Sequence, residues 1–370
     1  MNLENLEKYY KGFNLLSRKN EIDFESYIFN EMKKNNIEKL DYPILIGIKI
    51  TDKCNFSCKH CFSNNSKFNE ISSNLVDNII NNFLKENHPY KIYLTGGEPF
   101  LNKNIFNIIQ KLKPYCKIFS IHSNASLITN DLAKKLSNIL DKNDYVQVSL
   151  DGYNKETFKS TRNCDKFDDV IRGIKNLINN NIKVRINTVV TNKNLNFLER
   201  IYDLAIKLDV ETISFSPLLD CKKVKDVYLP SDMAILKKFD AILEKYFSSE
   251  GKVKIIQDPI AVPWGNPILK NLVKESEFVC PAGKTALEIN HDGTIYPCPY
   301  MYDNKFNMGN LKNSSLKEIW TNNRWTLLRK NFWSDNSKCI NCDSYQKCKS
   351  GCLAAAQLSD IEFDPRCEHN

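Results

Sequence analysis

Cys54, Cys58 and Cys61 stand in the run Cys54-Asn55-Phe56-Ser57-Cys58-Lys59-His60-Cys61, directly after the apolar stretch Ile44-Leu45-Ile46-Gly47-Ile48-Lys49-Ile50. Three thiols at C-x3-C-x2-C spacing on a strand-exit loop can hold one metal centre, but they leave it a ligand short. A structural zinc ion takes four protein ligands and would here recruit His60. A four-iron cluster held by three thiolates instead keeps one iron open to a cofactor or substrate.

A second set of thiols lies near the other end of the chain. Cys280 is followed by Asp292-Gly293, then by Tyr296-Pro297-Cys298, then by Cys339-x2-Cys342-x5-Cys348-x3-Cys352, and finally by Cys367. A zinc ribbon on Cys339, Cys342, Cys348 and Cys352 would leave Cys280, Cys298 and Cys367 idle. Cys116 and Cys164 read as small buried hydrophobes. Between the two sets, Gly96-Gly97-Glu98-Pro99 offers adjacent glycines where backbone can approach a ligand closely. The plainer reading of those four residues is a turn before a helix with proline in its first turn.

Composition narrows the setting. At 370 residues the chain can form one large domain and a smaller one, and its 42% hydrophobic and 26% charged content is that of a globular protein. No apolar run reaches spanning length and Met1-Asn2-Leu3-Glu4 lacks a signal-peptide pattern, so a cytoplasmic protein with no membrane role is expected. Thirteen cysteines, an odd number, point there to metal rather than disulfides. The net charge of +8 is spread thinly, without the dense basic block of a nucleic-acid binder, and suits an acidic partner such as an acidic peptide.

The elements that position these residues follow from hydrophobic periodicity. Residues 1–43 read as a helical cap, with Leu3, Leu6, Tyr10 and Phe13 at helical spacing. Strands are then expected at 44–50, 91–95, 117–123, 145–150, 183–190 and 211–216, and helices near 71–87, 103–113, 129–140, 165–180 and 194–208. This alternation reads as βαβ units around a parallel sheet. The chemistry-bearing residues fall at the carboxyl ends of the strands, where parallel α/β folds place their sites. A further helix is expected at 231–247, and 252–278, with Pro259, Pro263 and Pro267, reads as a connection. The expected organisation is a cap (1–43), an α/β domain (44–225), a connecting helix and linker (226–278) and a cysteine-rich domain (279–370).

The first thiol spacing resembles that of the radical SAM enzymes, and the second set resembles the SPASM domain in all seven of its cysteines. The resemblance implies a partial (β/α)6, TIM-like barrel followed by that domain. It implies three 4Fe-4S clusters. One is held by Cys54, Cys58 and Cys61, with S-adenosylmethionine on its open iron. A complete auxiliary cluster takes Cys339, Cys342, Cys348 and Cys367. A second takes Cys280, Cys298 and Cys352, with an open iron or a borrowed ligand such as Cys221. Some relatives carry another cysteine shortly after the first, but Pro281-Ala282-Gly283-Lys284-Thr285-Ala286 has none. Gly96, Gly97 and Glu98 match the motif implied to hold the cofactor's amino group. Ser149 and Arg162 match cofactor-contacting positions, an arginine fork suiting a carboxylate. Asn124 fills the Thr-Asn-Gly slot, here Ser-Asn-Ala, and Leu219 falls where an apolar residue packs near adenine.

The resemblance implies cleavage of S-adenosylmethionine to a 5′-deoxyadenosyl radical. Auxiliary clusters provide a sink for the electron released when a substrate radical is oxidised. That favours a maturase that cross-links a ribosomally made, cysteine-containing peptide through a thioether or carbon–carbon bond. An electron donor such as flavodoxin or ferredoxin is implied. Residues 1–43 are too short for the family's peptide-recognition domain, so leader binding is expected either through a separate leader-recognition protein or through residues 1–43 themselves. Formylglycine-forming sulfatase maturases share these motifs, but where they carry a basic aspartate after the second domain cysteine this chain has Pro299. An epimerase, a small-molecule radical SAM enzyme, or an iron–sulfur electron-transfer or scaffold protein are the other readings.

Overall fold

The computed structural model describes residues 36–61, 69–219, 244–246, 248–257, 280–329, 341–343 and 351–359, with isolated positions at 32, 238, 241–242, 339, 364–365 and 367. Cys221, Cys348, nearly all of the expected cap, and the linker prolines lie outside the described residues. The chain divides into two compact units, one of residues 39–186 with 281–329, the other of 1–38, 187–280 and 330–370.

The first unit is built on strands β1 (Leu45–Thr51), β2 (Lys91–Gly96), β3 (Ile118–Ser123) and β4 (Tyr145–Ser149), in that order and parallel. The crossovers carry α1 (Ser73–Ile79), α2 (Ile105–Leu112), α3 (Asn130–Ser137), α4 (Lys155–Arg162) and α5 (Phe167–Asn179), and β5 (Lys183–Val190) follows. Helix starts are set by side-chain caps that satisfy otherwise orphaned amides. Ser72 accepts from Leu75 N, Thr129 accepts from Leu132 N, and Asn154 with Thr157 forms a capping box. The α4 helix falls in a stretch that carried no helix expectation. Its cap is explicit in the sequence, but its apolar face is reduced to Phe158 between polar neighbours.

The last part of this unit adds three strands to the sheet. Strand β8 (Ala286–Ile289) runs parallel to β1 on the edge opposite β2, and β9 (Thr294–Tyr296) and β10 (Gly309–Asn310) extend the sheet antiparallel. Behind them α7 (Leu316–Thr321) packs Trp320 against Trp325. Arg329 lies over both indoles and donates to Gly283 O at 2.7 Å and Trp320 O at 2.6 Å. Gly283 has φ +72, and an added Cβ would stand 2.7 Å from the Trp325 ring.

In the second unit α6 (Leu198–Leu208) lies between β5 and β6 (Thr212–Pro217) in the chain, and β6 pairs in parallel with β7 (Lys254–Gln257). The Tyr202 hydroxyl donates to Val253 O at 2.9 Å, tying α6 to the approach of β7.

The two faces of the first unit's sheet differ in chemistry. One face carries Ile46, Ile48, Ile50, Ile92, Leu94, Phe119, Ile121, Val146 and Val148, all buried. This is the face that the crossover helices cover. In register on the other face stand Gly47, Lys49, Lys91, Tyr93, Ser120, His122, Tyr145, Gln147 and Glu288. A sheet covered by helices on both sides would be apolar on both. The polar row marks a wall built to face something other than a core.

Candidate active site

The loop after β1 carries Cys54 exposed, Cys58 buried and Cys61 between the two. Their thiols lie close enough to disfavour one another's ionisation. Although Cys54 as a residue is exposed, protein atoms around its sulfur desolvate the thiol and push it up to about 11, the Phe56 amide opposing and Glu98, Cys61 and Cys58 adding to it. Cys58 is raised by burial, which the adjacent Arg162 opposes. Among the described residues no three His, Cys, Asp or Glu side chains converge as ligands of a single ion. Three thiols on one loop are the donor set of a cubane that keeps one iron open, whereas a structural zinc ion wants a fourth protein ligand. His60, the only candidate to complete a zinc site from this loop, is buried with Nε2 3.3 Å from Asp151 Oδ2. The donors present fit the cluster rather than zinc.

The glycines of Gly96-Gly97-Glu98-Pro99 serve the cluster loop directly. Gly96 has φ +148, and a Cβ on it would overlap Thr51 O, while one on Gly97 would overlap Lys53 O. Gly97 N donates to Thr51 O at 2.9 Å and Glu98 N to Lys53 O at 2.7 Å. The β2 exit is thereby locked against the backbone that leads to Cys54. Glu98 is fully buried. Its Oε1 accepts from Ser123 Oγ at 2.8 Å and Phe100 N at 3.2 Å, and its Oε2 from Asn124 N at 2.7 Å. Burial lifts its pKa to about 7 against the pull of those three bonds.

Asn124 closes the ring from β3. It donates to Asn55 Oδ1 at 2.8 Å and accepts from Ser126 Oγ at 2.7 Å, and Asn55 in turn donates to Ser126 Oγ at 2.9 Å. Asn55 sits between the first two thiols, so β3 holds the cluster loop through a side-chain ring. Ala125 takes φ +59, a left-handed conformation that favours glycine. The Thr-Asn-Gly slot is thus filled in the same backbone class without its glycine.

At the β4 exit, half-buried Ser149 is followed by fully buried Asp151. Arg162, the last residue of α4, lies with Nε 2.5 Å from Asp151 Oδ2 and donates from Nη1 to Cys58 Sγ at 3.8 Å. Asp151 and the Cys58 sulfur hold the guanidinium cationic. The sequence places Ser149-Leu150-Asp151-Gly152 at the strand exit without giving Asp151 a role of its own. Its signal was a carboxylate directly after a buried strand.

The other sequence-selected residues are divided between the units. Cys298 is in the first, shortly after β9. Leu219 is buried in the second, which also holds Cys280, Cys339, Cys342, Cys352 and Cys367. Cys342 N donates to Cys339 O at 3.0 Å. Buried Asp364 accepts from Cys352 N at 2.8 Å through Oδ2 and from Cys367 N at 3.0 Å through its carbonyl.

The polar wall adds residues that the motifs do not contain. Asp52, two residues before Cys54, lies 2.6 Å from Lys49 Nζ and 2.7 Å from His291 Nε2. The alternation in Lys91-Ile-Tyr-Leu-Thr and Lys117-Ile-Phe-Ser-Ile-His-Ser was the available signal for this wall.

Comparison with known proteins agrees with this architecture. Residues 48–205 match the model of the radical SAM superfamily, and residues 280–343 match SPASM, an iron–sulfur cluster-binding domain. An uncharacterized protein of Methanocaldococcus jannaschii is 30% identical over 68% of this chain and 83% of its own length. The mycofactocin maturase MftC of Mycolicibacterium smegmatis is 26% identical over 89% of this chain and 83% of its own. Among solved structures, Streptococcus suis SuiB bound to its precursor peptide SuiA superposes with a TM-score of 0.75 at 20% identity, over 92% of this chain and 78% of SuiB. The chain belongs to the radical SAM superfamily and is an enzyme of that family carrying a SPASM domain.

Proposed function

We propose that this enzyme is a peptide maturase that oxidatively cross-links a ribosomally made, cysteine-containing peptide. The observation that carries the reading is the similarity to mycofactocin maturase over 89% of the chain. In this reading Cys54, Cys58 and Cys61 hold the radical cluster, and Gly96, Gly97, Glu98, Asn124, Ser149 and Arg162 surround S-adenosylmethionine. Cys339, Cys342, Cys348 and Cys367 hold an auxiliary cluster. When bound, the cluster and S-adenosylmethionine supply a carbon radical able to remove a hydrogen atom from an unactivated carbon. A ferredoxin or flavodoxin serves as electron donor.

The chain's own residues position and exclude. The Asn55–Asn124–Ser126 ring and the Gly96-Gly97 contact fix the backbone that carries Cys54. Asp151 holds the Arg162 fork at the Cys58 sulfur. Pro299, following Cys298, supplies no carboxylate and argues against formylglycine formation.

The test is mass spectrometry after anaerobic turnover with reductant, S-adenosylmethionine and a cysteine-bearing peptide encoded beside the gene. A product lighter by two hydrogens whose cysteine resists alkylation is expected. An unchanged mass with solvent deuterium at an α-carbon would replace cross-linking by epimerisation.

A further inference from the structure

Glu288 lies in the middle of the polar wall, only 2% exposed, between Cys280 and Cys298 in the sequence. A Cβ on Gly47 would overlap both of its carboxylate oxygens, so β1 leaves room for this side chain by having none of its own there. Tyr93 donates its hydroxyl to Glu288 Oε1, and Tyr302 donates to Oε2 at 3.1 Å. Tyr93 is half-buried and stacks on His122, with ring centroids 4.6 Å apart and planes 12° off parallel. Tyr302 packs edge-on to Tyr296, the β9 residue paired with Glu288, at 4.9 Å.

The charged and titratable groups facing this carboxyl do not neutralise it. Lys49 Nζ stands over the Tyr302 ring, 5.2 Å from its centre, and pairs with Asp52 at 2.6 Å. Burial and Lys91 hold His122 neutral, its pKa lowered to about 3. Tyr93, Tyr296 and Tyr302 are phenols, and burial raises the last two further. Burial lifts Glu288 to about 8, with the Tyr302 hydroxyl opposing it. A buried carboxyl with no cation on it holds a proton tightly and can exchange it near neutral pH.

We propose that Glu288, acting through the Tyr93 hydroxyl, takes up the proton that the substrate releases at the polar wall. The inference rests on the maturase reading above. Joining two X–H groups into one bond removes two hydrogens. One leaves as a hydrogen atom, the other must leave as a proton, and the one electron left over when the new bond forms passes to an oxidised iron–sulfur cluster of the SPASM domain. In the step assigned here the substrate's X–H bond breaks with its electron pair left on X. The proton passes to the Tyr93 oxygen while the Tyr93 proton passes to the Glu288 carboxylate. Tyr93 ends unchanged, and Glu288 ends as the neutral acid. Tyr93 is then the group that touches substrate, and Glu288 is its positioning and proton-holding partner. The arrangement supplies what Pro299 cannot.

The experiment has two arms on the full chain. Infrared titration of the protein as purified, without cofactor, follows the protonated-carboxyl band, with E288Q identifying it. A band that persists well above the ordinary carboxylate range in wild type, is lost in E288Q and moves to higher pH in Y302F is expected. Titration of Glu288 in the ordinary range overturns the proposal. Turnover with S-adenosylmethionine and the cysteine-bearing peptide is then followed against pH. E288Q should form 5′-deoxyadenosine while product falls about 100-fold or more, and Y302F should carry the rising limb of product formation upward in pH. Wild-type yield and pH profile in E288Q overturn the proposal. A wild-type chain that cleaves the cofactor but leaves the peptide unmodified overturns the maturase reading instead, and the infrared arm still decides whether Glu288 holds a proton at the wall.

Discussion

Arg162 at the end of α4 and Asp151 at the exit of β4 form an ion pair, Nε to Oδ2 2.5 Å, inside the protein. Through this pair the guanidinium is held against Cys58, and the same carboxylate oxygen lies 3.3 Å from His60 Nε2. The cation expected to meet a cofactor carboxylate is therefore oriented by a protein carboxylate first.

Removing that carboxylate leaves a buried, unpaired cation. Asp151→Asn is expected to destabilise the protein by about 3–5 kcal/mol. It should also weaken S-adenosylmethionine binding by at least about tenfold, as for loss of a partner that orients a binding group. Chemical denaturation and calorimetric titration of the reconstituted enzyme measure the two effects. Stability and affinity both equal to wild type would mean that Arg162 is held by other contacts.

Gly47 and Glu288 compete for one volume, because a Cβ on Gly47 overlaps the carboxylate. Gly47→Ala alone should cost about 1–3 kcal/mol, as overpacking does. In the double variant with Glu288→Ala the clash is gone, so the two losses should sum to more than the measured one. Additive losses in urea denaturation would place the strain elsewhere.

Two buried carboxyls should make stability depend on pH. Glu98 is raised to about 7 and Glu288 to about 8, so between their unfolded values and these the folded state binds more protons than the unfolded. Their contribution is present in full below about 4.3 and is lost as pH rises through the folded values. His122, lowered to about 3, acts in the opposite sense up to its unfolded value of about 6.5. The net fall should therefore be clearest between about pH 6.5 and 8. Urea midpoints over that window should decline for wild type and decline less for Glu288→Gln; parallel slopes would contradict the assignment.

Gly173 of α5 faces the turn that carries Asn124, and a Cβ there would overlap Ala125 O. Backbone cannot yield as a side-chain tip can, and Ala125 already holds φ +59. Gly173→Ala should destabilise by about 2 kcal/mol or more and loosen the Asn55–Asn124 bond. Faster amide exchange at Asn55 and Ser126 checks the second effect, and unchanged exchange would uncouple α5 from the cluster loop.

The strands at 44–50, 91–95, 117–123, 145–150, 183–190 and 211–216 were legible in the sequence and are observed within a residue or two at each end. Alternating apolar side chains must be buried wherever the chain goes, so their period survives folding. The spacing of Cys54, Cys58 and Cys61 was legible because those three thiols share one short loop. The partners of those residues were not legible. Glu288 and Tyr93 are 195 positions apart, and no local periodicity connects them. They meet because β8 pairs with β1 on the side away from β2, and Gly47 between them has no side chain. Asp151 likewise became part of the site only when α4 returned Arg162 to the β4 exit. Local pattern determined which residues form strands and which can bind metal, while tertiary pairing, a long-range choice among many registers, decided which charges and hydroxyls face one another.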